Sequence, residues 1–437
     1  MTTLITVREY GRLTSSTLAE RSLDRQQVSQ SAFDWLCELS SKLSKSGASL
    51  IELEDRKWLR LDNYVGVIET PCGTRIEILP KHLEEGESLD ATRSLLVKML
   101  STTLDLPIRE VGVSSLQKFH APLNEWVMRQ FLISLDGLVK RGIRCEYQLV
   151  EEEQRFLRGQ LSRAKQMRQR LDRQHFFHIR HDVFSANRSE NRLLKLAVEQ
   201  VCRATQSPSN WRLSHELREC LSDVQASRDV ADDFERWQDD RLMAHYKEIK
   251  PWCELVLGNE MPTSVVGTWE GVSLLFPMEK LFERYVARCL GRALRPDARL
   301  RTQPKQHFLC EHDDRRLFCL QPDIVIDCGT ARWVLDAKWK LVDTANSQDN
   351  YNLKQADFYQ LLAYGRTYLR NSPQGTLALV YPQRQAFRAA LQKFTFPDQL
   401  DLWVLPFDLN TGALMNAELC GLPVDTPTPR LQEFRTE

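Results

Sequence analysis

The sequence predicts a multi-domain α/β (α+β) protein: a mixed α/β N-terminal part, a helical middle, and a C-terminal domain built around a strand hairpin flanked by helices. Three observations lead there. At 437 residues the chain is long enough for two or three domains, each with its own core. Strand-like runs cluster near both ends of the chain. Between them, apolar residues recur at helical spacing over long stretches.

In chain order, Leu4 to Arg8 reads as a strand and Ser31 to Leu43 as a helix. Tyr64 to Glu69 and Thr74 to Leu79 form a hairpin closed by Pro71-Cys72-Gly73. Leu89 to Leu104 and Leu116 to Val139 carry helical stripes, the second with Leu123, Trp126, Val127, Phe131, Leu132, Leu135 and Leu138. Arg144 to Glu151 returns as a strand. From Asn191 to Lys250 the pattern is helical, interrupted near Ser207-Pro208-Ser209, and Gly, Pro and Thr cluster from Gly258 to Gly267. These features divide the chain into an N-terminal α+β domain (1–155), a mainly helical connector (156–260) and a C-terminal domain (261–437).

The last of these carries the chemistry. Gln321-Pro322-Asp323-Ile324-Val325-Ile326-Asp327 and Trp333-Val334-Leu335-Asp336-Ala337-Lys338-Trp339 read as two strands joined through Cys328-Gly329-Thr330. Asp336 and Lys338, two residues apart on a strand, share a face. Asp323 on the partner strand supplies a second carboxylate. Two carboxylates suit a hard cation such as Mg²⁺, which offsets the charge of a phosphodiester and lowers the pKa of a bound water. A neighbouring lysine orients that water and stabilises the transition-state charge. An isolated Asp-x-Lys triplet is more often a surface ion pair. The flanking helices argue against that: Glu279 to Leu294 places Glu283 beside an apolar stripe, and Leu353 to Leu369 carries Gln360 and Tyr364 one helical turn apart.

The set Glu283, Pro322-Asp323, Asp336-Ala337-Lys338 and Gln360-x-x-x-Tyr364 resembles the PD-(D/E)xK nuclease superfamily, in its RecB-like branch. Within it, Met278 to Val286 and Val334 to Lys340 resemble McrC, the nuclease subunit of McrBC modification-dependent restriction systems. Arg8-Glu9-Tyr10-Gly11-Arg12-Leu13, Ile76 to Lys81 and Asn191 to Lys195 are similar to McrC segments too, so the resemblance covers most of the chain. It implies a restriction-endonuclease-like C-terminal domain acting on double-stranded DNA with Mg²⁺ or Mn²⁺. Asp323, Asp336, the Ala337 carbonyl and Glu283 would be metal ligands, Lys338 would position the water, and Gln360 and Tyr364 would steady the site. It also implies an McrB-like AAA+ GTPase hexamer as partner, bound and stimulated through the N-terminal part, with Arg8, Arg12 and Lys81 as candidates for the stimulating residue. A stand-alone RecB-like DNase and a nuclease-dead adaptor of a ring NTPase are the competing expectations.

Composition fits this picture and narrows it. Lys plus Arg equals Asp plus Glu at 59 each, so no global field drives the chain onto nucleic acid and DNA contact must come from local patches. Arg158, Arg163, Lys165, Arg168, Arg170 and Arg173, interleaved with aromatics, form one basic stretch, read as a backbone-tracking patch, an acidic-partner face or a solvated helix. Gly159 within it matches a turn in McrC-like chains and favours a structural element. Eleven scattered cysteines without a C-x-x-C pair point to reduced thiols and away from zinc. No secretory segment and no apolar run near the ~20 residues of a membrane span is visible, which predicts a cytoplasmic protein. The absence of a G-x-x-x-x-G-K-[ST] loop places any nucleotide motor on another subunit.

Overall fold

A computed structural model describes residues 4–45, 50–55, 57–81, 88–104, 106, 122–237, 245–258, 274–370, 372, 374–397 and 399–425. The chain is a mixed α/β protein with several sheets. Near the start, Leu4–Arg8 pairs in parallel with Arg75–Leu79, which forms the expected hairpin with Tyr64–Glu69. The fourth strand of this sheet, Leu274–Pro277, comes from far downstream in the chain. A second sheet, ordered Arg25–Gln27, Arg12–Thr14, Trp58–Leu61 and Ile51–Glu54, packs with the helix Gln30–Lys45 around Leu13, Phe33, Leu36 and Leu59.

Helices Leu89–Thr103 and Leu123–Arg141 follow the apolar stripes, the second starting at Leu123 after the extended Pro122; the earlier part of the expected stripe, up to residue 121, lies outside the described residues. The helical run of the middle segment begins at Ser189, with helices Ser189–Ala204, Pro208–Cys220, Val230–Arg236 and Lys250–Val256. Pro208 opens the second of these, where its missing N–H costs nothing. Most of the Gly258 to Gly267 cluster lies outside the described residues.

The basic stretch is not one continuous solvated helix, although Arg163 and Lys165 lie on a short exposed one. It belongs to a ribbon in which Glu146–Gln154 pairs antiparallel with Phe177–Ser185 along nine residues, with the short strand Gln160–Leu161 on the other edge and one short helix, Arg163–Met167. The first of its strands matches the one expected over Arg144 to Glu151; the second, Phe177–Ser185, was not expected, because charged and polar residues interrupt its apolar pattern. Several of its cations are answered by acids of the neighbouring strand: Lys165 and Arg180 meet Glu151, and Arg173 reaches Glu153 at 3.1 Å. Gly159 adopts φ +71°, and a Cβ there would lie 2.3 Å from the Arg180 carbonyl oxygen, so only glycine closes this turn.

One buried ionic cluster ties the helical layer to the first sheet. Glu125, 4 % exposed, accepts from Thr205 Oγ1 at 2.7 Å, the Gln206 amide at 2.6 Å and Asn210 Nδ2 at 3.0 Å, and lies 3.4 Å from the Arg75 guanidinium. Arg75 in turn donates to the Ala204 carbonyl at 2.6 Å. Glu125→Ala takes an acceptor from three buried donors and leaves the Arg75 guanidinium with Glu69 as its remaining carboxylate, so the unfolding midpoint should fall by the equivalent of about 3 kcal/mol. Glu125→Gln, which keeps an acceptor, should lose less. Chemical unfolding of the two variants checks the order.

The C-terminal sheet runs Arg299–Thr302, Ile324–Cys328, Ala331–Ala337, Gln374–Pro382, Asp401–Asp408, Phe394–Thr395, with Ala413–Leu414 added beside Asp401–Asp408. Its two faces are covered by different helices. Ile324, Ile326, Leu335 and Ala337 share a core with the helix Met278–Ala293, whereas Val325, Val334, Leu377 and Leu379 pack with the helix Gln355–Tyr368. All eleven cysteines are free thiols. Among the described residues no helix is long and apolar enough to cross a membrane.

Candidate active site

The hairpin forms as the pattern of β-branched residues requires. Ile324 lies opposite Leu335 and Cys328 opposite Ala331, leaving Gly329 and Thr330 as the turn, with Gly329 at φ +59°. Continued by one step, this register sets Asp323 across from Asp336 at the open end of the hairpin. Cross-strand partners project to the same face, so the short interval between the two acids brings them together. Ala331–Ala337 also pairs in parallel with Gln374–Pro382, after the intervening helix Gln355–Tyr368. Asp336 therefore sits at the carboxyl end of a parallel strand, where open α/β sheets collect ligands.

Asp336 is fully buried. Lys338 Nζ lies 2.6 Å from its Oδ2, but the contact is not aligned as a hydrogen bond, and neither carboxylate oxygen has a hydrogen-bond donor among the described residues. Asp323 is engaged by the backbone, its Oδ2 accepting from the Ala337 amide at 2.8 Å. Burial raises the pKa of both carboxyls, and Asp323 is raised further by the charges of Asp336 and Glu283. Burial, the largest single influence, lowers the Lys338 pKa, but the carboxylates of Asp336, Asp323 and Asp357 together outweigh it and the net shift is upward, so the ammonium stays charged.

The helix Gln355–Tyr368 meets the same face of the sheet. Lys338 Nζ donates to Gln360 Oε1 at 3.1 Å, Gln360 Nε2 donates to Tyr364 Oη at 2.7 Å, and Tyr364 donates to the Gln321 carbonyl at 3.0 Å. This chain fixes the lysine and closes back on the segment that carries Asp323. Glu283 arrives from the helix on the opposite face. Its carboxylate accepts from Gln303 Nε2, while the Gln303 amide donates to the Asp323 carbonyl at 3.0 Å. Burial raises the Glu283 pKa, and Asp336 adds to the shift.

Among the described residues no three His, Cys, Asp or Glu side chains form a ready metal cage. The fit to a cation rests on Asp336: a buried carboxylate contacted closely by the Lys338 ammonium and lying beside a second carboxyl is an arrangement that a hard ion with only one or two protein carboxylates would complete. A test follows from the raised pKa values. A carboxyl whose folded pKa exceeds its unfolded value contributes stability that is present below the ordinary carboxylate range and lost as pH rises through the folded value, here up to about 8 for Asp323. Without divalent ions the melting temperature should fall between about pH 5 and about pH 8, and Mg²⁺ should restore more of it at the upper end. Asp323→Asn should flatten both trends in thermal scans.

Three parts of the site were not read from sequence. Lys340, on the same face as Lys338, is held by both oxygens of buried Asp357 at 2.9 and 2.8 Å; two lysines at strand spacing were the available signal. Arg284, Arg288, Arg292, Arg295 and Arg299 line an exposed cleft of about 1190 Å³ that ends at Glu283 and Gln303. The four-residue arginine spacing in Met278–Ala293 was visible in sequence, masked by the neutral overall charge. The third part is the contact of Trp339 with Glu9.

The description "McrBC 5-methylcytosine restriction system component" belongs to a family model that matches residues 59–382. The chain belongs to this family. No curated protein matches it. Among solved structures, the refined half-complex from a tetradecameric assembly of Thermococcus gammatolerans McrB AAA+ hexamers with bound McrC matches at a TM-score of 0.70 and 21 % identity, over 96 % of this chain and 98 % of that one. The cryo-EM structure of the Thermococcus gammatolerans McrBC complex matches at a TM-score of 0.51 and 22 % identity, over 66 % of this chain and 88 % of that one. The chain thus shares its fold with these McrBC assemblies, the first of which holds McrC bound to McrB AAA+ hexamers.

Proposed function

We propose that this McrC-like chain is the DNA-cleaving subunit of a GTP-dependent restriction system directed at 5-methylcytosine-type modification, driven by an McrB-like AAA+ GTPase hexamer. The observation that carries the reading is Asp336, fully buried beside Asp323, with the Lys338 ammonium 2.6 Å away as its close partner. When bound, Mg²⁺ or Mn²⁺ would neutralise the phosphodiester and lower the pKa of a nearby water. Asp323 and Asp336 would hold the ion, with the Ala337 carbonyl and Glu283 completing its shell. Lys338 positions the attacking water and stabilises charge that develops on the phosphate. Gln360 and Tyr364 keep the ammonium on that line. The arginine cleft ending at Glu283 suits the backbone of double-stranded DNA.

For the partner, the ribbon between Glu146 and Ser185 is the favoured contact. It exposes Tyr147, Leu149, Phe156, Leu157, Met167, Leu171 and Phe184, large apolar side chains of the kind that interaction surfaces carry. Of the three basic residues considered for GTPase stimulation, Arg8 pairs with Asp24 and Arg12 with Glu54 near the surface, whereas the Lys81 ammonium turns inward to the Trp339 carbonyl. Arg8 and Arg12 remain the candidates that face a partner. Combining the purified chain, an McrB-like GTPase, GTP, Mg²⁺ and methylated plasmid should give cleavage that needs every component. Cleavage without motor or GTP would reject the coupled reaction in favour of a stand-alone DNase.

A further inference from the structure

The segment after Asp336 is gripped from two sides. Asp336, Lys338 and Lys340 face the helix Gln355–Tyr368, where Gln360 and Asp357 take the two ammonium groups. Trp339 points the other way, 2 % exposed, with its ring 5.3 Å from that of Phe282. There its indole N–H donates to Glu9 Oε1 at 2.7 Å. The same Glu9 oxygen accepts from the Lys81 amide at 2.7 Å, and Lys81 Nζ donates to the Trp339 carbonyl at 3.1 Å. Glu9 directly follows Leu4–Arg8 and Lys81 comes two residues after Arg75–Leu79, adjacent strands of the N-terminal sheet, and the Glu9 amide is tied to the Leu79 carbonyl at 2.9 Å. Two strand ends of one sheet thus hold both ends of a single residue, the one after Lys338.

A carboxylate is a costly means of joining two modules. Glu9 is 2 % exposed and its Oε2 has no hydrogen-bond partner among the described residues. Apolar packing would hold the surfaces together at lower cost. What the clamp adds is direction, since it fixes the indole N–H and the backbone carbonyl of Trp339 at once.

We propose that Glu9 is a positioning residue for Lys338, acting through Trp339, so that the N-terminal sheet sets the lysine in the cleavage centre and a load on that sheet is transmitted to it. The inference rests on the nuclease reading of Asp323, Asp336 and Lys338. Glu9→Ala frees the indole and the Lys81 amide, while Glu9→Gln keeps an oxygen that both can use.

The test measures single-turnover cleavage in the complete reaction, GTPase stimulation, melting temperature, and amide hydrogen exchange at residues 337–340 in the full chain without DNA. Glu9→Ala should slow cleavage by about 10- to 100-fold, as expected for a misplaced catalytic group, with DNA KM and GTPase stimulation unchanged. Exchange at 337–340 should quicken, and Glu9→Gln should bring cleavage back to within a few-fold of the parent. Faster exchange with parental cleavage by Glu9→Ala would overturn the inference and leave the nuclease reading intact. Parallel loss of cleavage, stimulation and melting temperature in Glu9→Ala would reduce the clamp to fold support and overturn it as well. Failure of the nuclease reading shows separately, as cleavage that survives loss of Asp336.

Discussion

Lys338→Ala is expected to lower DNA cleavage by about 10³-fold, the loss typical when a group that orients the nucleophile or stabilises transition-state charge is removed. The sign of its effect on metal binding separates this role from that of the carboxylates. The ammonium lies 2.6 Å from an Asp336 oxygen, so it competes with a cation for the same charge. Removing it should leave Mg²⁺ affinity equal or higher, whereas removing a carboxylate should weaken it. Titration calorimetry beside a cleavage assay reads both quantities. Lys338→Arg should not restore the rate, since the planar guanidinium cannot occupy the ammonium position against Gln360. A Lys338→Ala protein that cuts at the parental rate would return the Asp-x-Lys triplet to an ordinary ion pair.

The second large effect is expected at the exposed ribbon. Met167 and Leu171 are 88 % and 85 % exposed, so Met167→Glu with Leu171→Glu removes almost no packing and should move the melting temperature little. If this surface seats an McrB-like ring, two new carboxylates in the interface are left desolvated and unpaired. GTPase stimulation by the full chain should then drop by about tenfold or more. Basal divalent-ion affinity should not change, because the ribbon lies outside the residues that form the site. Full stimulation by the double variant would move the docking face elsewhere, with Arg8 and Arg12 next to be tested.

Much of the C-terminal site was legible because its information is local. The runs around Asp323 and Asp336 are β-branched on both sides of a Gly turn, and Gln360 and Tyr364 lie one helical turn apart. The helix Met278–Ala293 was equally clear from Leu281, Phe282, Tyr285, Val286 and Leu290, all buried. What escaped was long-range or disguised. Glu9 and Trp339 are separated by 330 positions, and no periodicity links them, although both lie in segments that carried the family resemblance. The strand Leu274–Pro277 joins a sheet whose other members precede Pro80. Its four residues are too short to reveal a partner. Of the Glu146 to Ser185 ribbon the first strand was expected near Arg144 to Glu151, but the second, Phe177–Ser185, was hidden because Arg180, His181 and Asp182 blur its apolar alternation.

The central claim is that Asp336 organises a divalent-ion centre that cuts DNA under the control of a separate motor. It is tested most directly by Asp336→Ala in the complete reaction: purified chain, McrB-like GTPase, GTP, Mg²⁺ and methylated plasmid. The account predicts no cleavage, weakened Mg²⁺ binding, and GTPase stimulation equal to that of the parent chain. Mg²⁺-dependent cleavage retained by the Asp336→Ala protein would contradict it.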